Sequence, residues 1–178
     1  MKILQGKYKF KTLSHLEKSR PLISKIRKSI FDVLHGFKNL EHSTVADICA
    51  GSGTFGFEAL SRGAINVNFV EKDIRTASSL RHICRNWNIE NARVTCKDAR
   101  YLPLLTTAYD IIFCDPPFLH DWISCMINAL LQKNWVGESS ILIVRLANDI
   151  SQYFIKNKMK LLYSNKIGVS YIFFFSKE

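Results

Sequence analysis

The sequence predicts an α/β fold built on one mostly parallel β-sheet, and three observations lead to this prediction. Short apolar runs alternate with amphipathic stretches from residue 45 to residue 144, as they do in successive βαβ units. Two strand-like runs then follow each other across a tight turn at Gly168, so the last pair must be antiparallel. The chain has 178 residues, a length that suits one such domain.

The strands follow from composition, taken in order along the chain. Residues 45–49 and 109–115 are rich in Val, Ile, Phe and Cys, which is typical of strands buried on both faces of a sheet. The runs at residues 67–71, 92–97 and 140–144 contain the β-branched residues that favour strands. Two final strands, at residues 160–167 and 169–175, form the C-terminal antiparallel hairpin.

Helices are predicted between these strands. Residues 56–62 form a short helix that ends before Gly63, residues 74–87 carry apolar side chains on one side and arginines on the other, and residues 121–131 form a third helix. An earlier helix at residues 21–34 has an apolar face opposite Lys25 and Lys28. We therefore expect an N-terminal extension of residues 1–40 and an α/β domain of residues 41–178.

Most of the excess charge lies in the first sixth of the chain. Lys and Arg total 25 against 15 Asp and Glu, and residues 1–30 hold nine of the bases but one of the acids. This clustering is typical of a segment that contacts phosphates, and a solubilising arm is the alternative. Lys7, Lys9 and Lys11 alternate with Tyr8 and Phe10, which predicts a strand of a basic β-hairpin.

Several classes of protein are excluded by composition. No apolar run reaches the ~18 residues that a membrane span needs, and the first residues do not form a secretory signal. The five cysteines are odd in number and form no Cys-x-x-Cys pair, which argues against a zinc site and a disulfide framework. We expect a cytoplasmic protein without a metal ion and without membrane contact.

A glycine loop follows the first predicted strand. The run from Gly51 to Gly56 matches Gly-x-Gly-x-x-Gly between a strand and a helix, and Glu71 stands at the end of the next strand. An acid at that place can accept hydrogen bonds from both hydroxyls of a ribose. The loop therefore predicts a cofactor that contains adenosine.

The residues themselves leave two such cofactors open. A dinucleotide would place its pyrophosphate at the helix N-terminus, whereas S-adenosylmethionine offers a carboxylate and an ammonium there. The N–H groups of Gly51 and Gly53 can be approached closely because glycine has no side chain. Asp47 could orient the loop or receive the ammonium, and Asp98 could accept from the adenine amino group.

The segment Asp115-Pro116-Pro117-Phe118 follows the fourth predicted strand and predicts the reaction. Its prolines lack N–H groups and fix the backbone, so the loop is stiff and offers acceptors, the Asp115 carboxylate and the Pro116 carbonyl. Such acceptors suit an NH₂ group, and Phe118 offers a face on which a base can stack. The segment predicts methylation of an exocyclic amine on a purine.

The chain resembles the bacterial 16S rRNA guanine-N2 methyltransferases of the RsmD family from Gly6 to about Phe174. The resemblance is carried by the following runs: Arg20-Pro21, Ile26-Arg27-Lys28-Ser29-Ile30-Phe31, Asp47 through the glycine loop to Gly-Phe-Glu-Ala-Leu-Ser-Arg-Gly-Ala at 56–64, Glu71-Lys72-Asp73, and Asp115-Pro116-Pro117-Phe118. It implies a Rossmann-like class I S-adenosylmethionine-dependent methyltransferase fold with an added N-terminal β-hairpin and helix. It also implies methyl transfer to a guanine N2 of 16S rRNA within the small ribosomal subunit or its assembly intermediate.

The site residues are assigned on this basis. The target base is expected at Asp115, Pro116, Pro117 and Phe118. The cofactor is expected at Asp47, Ala50, Gly51, Ser52, Gly53, Glu71, Lys72, Asp98 and Ala99. RNA contacts are expected at Lys7, Lys9, Lys11, Arg20, Lys25, Arg27 and Lys28. We expect a monomer.

The chain departs from the family pattern at four residues, and three other functions remain as alternatives. The chain departs from the family pattern at Gln5, Leu22, Lys28 and Arg145, all outside the cofactor loop and the Asp-Pro-Pro-Phe segment. The nearest rival function is methylation of the adenine amino group in DNA or RNA. A nicotinamide-dependent reductase would explain the glycine loop but not Asp115 to Phe118, and a non-catalytic RNA-binding assembly factor is the third rival.

Overall fold

The computed structural model describes residues 1–13, 22–116 and 120–178. The strands in these ranges are β1 (Thr44–Ile48), β2 (Asn66–Glu71), β3 (Ala92–Cys96), β4 (Tyr109–Cys114), β5 (Val136–Leu146), β6 (Met159–Ile167) and β7 (Ser170–Lys177). The α-helices are α1 (Ser24–Leu34), α2 (Thr54–Ser61), α3 (Ile74–Asn86), α4 (His120–Gln132) and α5 (Ser151–Lys156). Short 3-10 turns lie at Leu40–His42 and Ala99–Tyr101.

The strands form one seven-stranded sheet in the order β3-β2-β1-β4-β5-β7-β6. The first five in this order are parallel, and β7 pairs antiparallel with both β5 and β6. The predicted parallel sheet with a C-terminal antiparallel hairpin is therefore confirmed. The strand order reverses between β1 and β4, and open α/β sheets bind ligands in the crevice beyond the carboxyl ends of such strands.

Apolar side chains fill both faces of the sheet. Along β4, Ile111 and Phe113 belong to one buried cluster, while Ile112 and Cys114 belong to the other. This alternation follows from the two-residue repeat of a strand, and the helices cover both faces. The run predicted as a strand from apolar composition alone is thus buried from both sides.

The N-terminal residues 1–13 reverse direction without forming the predicted hairpin strands. A single antiparallel bridge joins Lys2 to Thr12, and residues 7–10 form turns rather than a strand. The prediction of a basic strand is wrong because Phe10 has a φ of +71°, outside the β region, which breaks the two-residue alternation.

The N-terminal extension shares its core with the rest of the chain. Ile3, Tyr8 and Leu13, together with the inner face of α1, belong to the same apolar cluster as Val45 of β1. The expected division at residues 40 and 41 therefore does not separate two cores. Within the described ranges, no helix has both the length and the apolarity needed to cross a membrane.

The helix and strand bounds differ from the predicted ones at a few places. The helix α1 begins at Ser24, and Arg20 and Pro21 lie outside the described residues. The strand β5 begins at Val136 rather than residue 140, because its pairing with β4 continues past a register shift between Tyr109 and Ile111. The short helix α5 was not predicted, since its six residues are too few to display a helical period.

Candidate active site

A cavity of about 330 Å³ lies at the carboxyl ends of the parallel strands. It is bordered by residues that follow β1, β2, β3 and β4, because the carboxyl ends of parallel strands meet at one edge of the sheet. Seven of the predicted cofactor residues line it, namely Asp47, Ala50, Gly51, Ser52, Glu71, Lys72 and Ala99. Asp115 lines the same cavity.

The three glycines of the loop serve different purposes. Gly51 has a φ of +52° and lines the cavity, where the left-handed turn brings the backbone to the surface. Gly53 also has a positive φ, and a Cβ there would lie 2.6 Å from the Leu80 side chain. A Cβ on Gly56 would lie 2.3 Å from the ring of Phe69. The second and third glycines are thus required for packing of α2 against its neighbours.

Two carboxylates hold the loop in place. Asp47, which is buried, accepts a hydrogen bond from the Gly56 N–H at 2.9 Å, so it orients the start of α2. Glu71 accepts from the N–H groups of Gly51 and Asp73, each at 2.9 Å, and joins the end of β2 to the glycine loop. Glu71 therefore stands at the expected place while also supporting the loop.

Carboxyl groups outnumber lysines in the lining of the cavity. Its lining holds four carboxylates (Asp47, Glu71, Asp73, Asp115) and two lysines (Lys72, Lys97). Burial raises the pKa of Asp47 well above its usual value, and the charges of Asp115 and Glu71 raise it further, while the Gly56 hydrogen bond opposes them. Burial likewise raises the pKa of the Cys49 thiol, with Glu71 adding to the effect. Asp47 thus favours its protonated form, and Asp115 is paired with Arg145 at 2.8 Å. The carboxylates of Glu71 and Asp73 are the lining groups that can attract a positively charged ligand.

Gly53 and Asp98 are the two predicted cofactor residues that do not line this cavity. The Gly53 N–H donates to the Ala50 carbonyl within the loop. The Asp98 carboxylate accepts two hydrogen bonds from the Arg100 guanidinium, at 3.0 and 2.7 Å, which lowers the pKa of Asp98. A carboxylate has further lone pairs, so the contact of Asp98 with an adenine amino group stays a prediction.

Asp115 is fixed from two sides. Its N–H donates to the Ile48 carbonyl at 3.3 Å, and its Oδ2 accepts from Arg145 Nη1 at 2.8 Å. The Nε of Arg145 donates in turn to the hydroxyl of Ser170 at 3.1 Å. Pro116 is buried beside Asp115, whereas Pro117 and Phe118 lie outside the described residues.

Sequence reasoning missed some of the cavity lining. Leu22, which precedes α1, closes one side of the cavity, and Trp122 of α4 forms another part of its wall. Leu22 falls within the helix predicted at residues 21–34, and the sequence pattern does not indicate what the apolar face of that helix covers. Trp122 stands in the helix that follows the Asp-Pro-Pro-Phe segment, and this position is the signal that could have indicated it.

The basic residues predicted to contact RNA differ in exposure. Lys7, Lys9, Lys11, Lys25 and Lys28 are exposed, and Arg20 lies outside the described residues. The prediction that Arg27 contacts RNA is wrong, because its side chain is fully buried and contacts Glu58 at 3.4 Å. Burial lowers the pKa of Arg27, and Glu58 opposes this shift. Its spacing with Ile30, Phe31 and Leu34 is that of an inner helix face, which is the signal that was overlooked.

Glu58 of α2 ties the N-terminal segment to the helix that follows the glycine loop. Its carboxylate accepts from the N–H groups of Leu4 at 2.8 Å and Gln5 at 3.1 Å. It also accepts from Arg62 Nε at 2.9 Å and pairs with Arg27. One turn later, the Ser61 carbonyl accepts from the Lys7 N–H at 2.7 Å. The N-terminal segment is therefore attached to α2, the helix that follows the glycine loop.

Comparisons with known proteins agree with this geometry. A model of the family described as Conserved hypothetical protein 95 matches residues 1–176. Ribosomal RNA small subunit methyltransferase D of Buchnera aphidicola subsp. Acyrthosiphon pisum (strain APS) is 31% identical over 163 residues, which are 90% of this chain and 82% of that protein. The protein of the same name from Haemophilus influenzae is 29% identical, covering 84% of this chain and 80% of its own length.

Solved structures share the fold. The structure of yhhF from Escherichia coli, described as a candidate methyltransferase, has a TM-score of 0.90 at 24% identity and covers 100% of this chain and 98% of its own. The candidate methylase HI0767 from Haemophilus influenzae has a TM-score of 0.79 at 26% identity and covers 99% and 98%. The predicted fold class is thereby confirmed.

Proposed function

The chain belongs to the family described as Conserved hypothetical protein 95, and from this membership we propose that it methylates ribosomal RNA with S-adenosylmethionine as the donor. Relatives that are 31% and 29% identical are named ribosomal RNA small subunit methyltransferase D. In its finer form, the proposal is methyl transfer by a monomer to N2 of a guanine in 16S rRNA, within the small subunit or an assembly intermediate.

The charge of the cavity supports this donor over a dinucleotide. Glu71 and Asp73 line the cavity with carboxylates that attract the sulfonium and ammonium groups of S-adenosylmethionine and repel a pyrophosphate. When bound, this cofactor supplies an electrophilic methyl group. Glu71 and the backbone of Gly51, Ser52 and Lys72 are the groups that would hold it, since they line the cavity beside the glycine loop.

One observation carries the proposal: the Asp115 carboxylate lines the same cavity as Glu71 and the glycine loop. A purine amine is a poor nucleophile because its lone pair is conjugated into the ring. A fixed carboxylate that accepts an N–H from this amine can turn the lone pair toward the methyl group. As the N–C bond forms and the C–S bond breaks, the nitrogen gains positive charge, which Asp115 stabilises. The surplus proton then passes to Asp115 or to water.

Substitution of Asp115 tests the role of this residue. We expect Asp115→Ala to lower kcat for methylation of purified small subunits about 100-fold or more, because an oriented charge at the reacting nitrogen is lost. Affinity for S-adenosylhomocysteine, measured by calorimetry, should stay close to that of the unchanged protein. Glu138→Gln, at an exposed carboxylate of β5, is the matched control. An equal loss of affinity and rate would contradict the assigned role.

Mapping of the modified base tests the finer proposal. Small subunits from a strain without the enzyme are incubated with the protein and the donor, and the product nucleoside is identified by mass spectrometry and located by primer extension. Guanine methylated at N2 is the expected product. Adenine methylated at its amino group would show that the alternative function, adenine methylation, is the correct one. Binding of NAD instead of S-adenosylhomocysteine would contradict the assignment of S-adenosylmethionine as the donor.

A further inference from the structure

Phe10 stands out among the exposed apolar residues because it combines exposure with an unfavourable backbone conformation. Its side chain is 70% exposed, and its φ is +71°. A residue other than glycine adopts this left-handed region at a cost in energy, and such residues persist where the surrounding structure holds them. The exposure of the ring is therefore imposed by the backbone conformation that the fold maintains.

The hydrogen bonds of the N-terminal segment supply this constraint. The Phe10 N–H donates to the Ile3 carbonyl, and the Ile3 N–H donates to the Lys11 carbonyl, each at 3.0 Å. The segment is fixed to α2 because the Tyr8 N–H donates to the hydroxyl of Ser61 at 2.9 Å. Gly6 also packs so closely that a Cβ there would lie 1.7 Å from the Ser61 carbonyl oxygen. The turn that presents Phe10 is thus a rigid one.

One lysine lies over the Phe10 ring, and a second lies over the rings of Tyr8 and Trp87. Lys9 Nζ lies 4.9 Å from the centre of the Phe10 ring, and Lys11 Nζ lies 5.3 Å from the ring of Tyr8 and 5.0 Å from that of Trp87. Residues 1–13 contain no acidic side chain. An aromatic face flanked by cations is the combination with which proteins bind single-stranded nucleic acid, through stacking on the bases and attraction of the phosphates.

We propose that Phe10 is a stacking platform for an unpaired base of the RNA, with Lys9 at the adjacent phosphate. The inference rests on the proposed function for the identity of the RNA. An apolar protein partner fits this surface less well, because lysine is depleted from the cores of protein interfaces. Leu104, which is 71% exposed and apolar, has neither an aromatic ring on which a base could stack nor a positive φ, and it serves as a comparison.

Binding of single-stranded polyadenylate RNA, followed by fluorescence anisotropy over a range of salt concentrations, tests the proposal. We expect Phe10→Ala to weaken binding about tenfold or more at every salt concentration and to leave the salt slope unchanged, because stacking is not ionic. Lys9→Gln should instead reduce the slope by about 0.7, since one phosphate contact is lost. Phe10→Trp should retain affinity, and Leu104→Ala should behave as the unchanged protein.

Two further measurements separate stacking from damage to the fold. Phe10→Gly removes the ring and relieves the left-handed strain, so it should weaken RNA binding without lowering the Tm. Binding to an RNA duplex, which offers no unpaired base, should be unaffected by Phe10→Ala. Wild-type affinity of Phe10→Ala and Phe10→Gly for the single strand would overturn the proposal, as would a change in salt slope like that of Lys9→Gln. Failure of the proposed function would appear separately, as absence of methylated rRNA.

Discussion

Arg145 Nη1 donates to Asp115 Oδ2 over 2.8 Å, and 8% and 14% of the two side chains are exposed. The same guanidinium donates a second hydrogen bond, from Arg145 Nε to the hydroxyl of Ser170, the first residue of β7. The antiparallel hairpin at the end of the chain therefore contributes to the orientation of a carboxylate at the carboxyl edge of the parallel strands. Because a guanidinium is planar and presents its donors in a fixed fork, this contact defines a direction as well as a charge.

Replacement of Arg145 tests this contact. Arg145→Gln should lower kcat for rRNA methylation about tenfold to 100-fold, with KM for the small subunit nearly unchanged, because Asp115 loses its fixed orientation. Arg145→Lys should recover part of the rate, since it keeps the charge without the fork. Single-turnover kinetics measure both effects.

A double-mutant cycle provides the control for Arg145. If Arg145 acts through Asp115, the double variant Asp115→Asn, Arg145→Gln should be no slower than Asp115→Asn alone. Lys177→Gln removes an exposed ion pair with Glu138 and should leave the rate unchanged. Additive losses in the cycle would show that Arg145 does not work through Asp115.

The raised pKa of Asp47 has a consequence for stability. Burial raises the pKa of Asp47, so the folded chain keeps a proton that the unfolded chain loses as the pH rises through the ordinary carboxyl range. Asp47 should therefore lower the free energy of unfolding as the pH rises above about 4. Asp47→Asn keeps an acceptor for the Gly56 N–H and should remove this loss, which urea unfolding at several pH values measures.

The control for Asp47 is an exposed carboxylate. Asp32→Asn should preserve the pH dependence of the unchanged protein, because 54% of the Asp32 side chain is exposed. If Asp47→Asn followed the same curve as Asp32→Asn, the pKa of Asp47 would not be raised in the folded chain.

Removal of the Glu58 carboxylate should destabilise the protein strongly. Glu58→Ala leaves the buried guanidinium of Arg27 without its ion-pair partner and the N–H groups of Leu4 and Gln5 without their acceptor. We expect a loss of about 3–5 kcal/mol in the free energy of unfolding, as when one partner of a buried ion pair is removed. Glu138→Ala, at an exposed pair, should change it by less than about 1 kcal/mol. Similar losses in both variants would mean that Glu58 is not a buried anchor.

The cysteines should differ in reactivity toward a thiol reagent at about pH 8. Cys96 and Cys125 are exposed and should react, whereas burial raises the pKa of Cys84 to about 11 and protects it. Burial also raises the pKa of Cys49 and Cys114, so they should react slowly. Mass spectrometry of tryptic peptides measures the labelling, with the unfolded protein as the control. Rapid labelling of Cys114 in the folded protein would contradict its burial in β4.

The sequence predicted most of the sheet because periodicity and composition are local signals. The parallel order, the final hairpin and the lining of the cavity by Gly51, Glu71 and Asp115 follow from short runs and their succession. The register shift in β5 and the short helix α5 could not be predicted in this way, since the first depends on a partner strand and the second lacks a full period.

Pairings between distant residues were the main omission. Arg27 was expected at the surface because it is charged, but its partner Glu58 lies 31 positions away and makes burial tolerable. Arg145 likewise pairs with the carboxylate of Asp115, 30 positions away. Charge alone does not indicate such contacts, whereas the helical spacing of Arg27 with Ile30 and Phe31 did contain a usable signal.

The attachment of the first residues to Glu58 limits how the chain can be shortened. A version that starts after α1 would lose Arg27 and the N–H groups of Leu4 and Gln5, and it would bare the apolar surface that Ile3, Leu13 and Leu34 now cover. A shortened chain without residues 1–34 would thus lose part of its hydrophobic core together with its basic N-terminal residues.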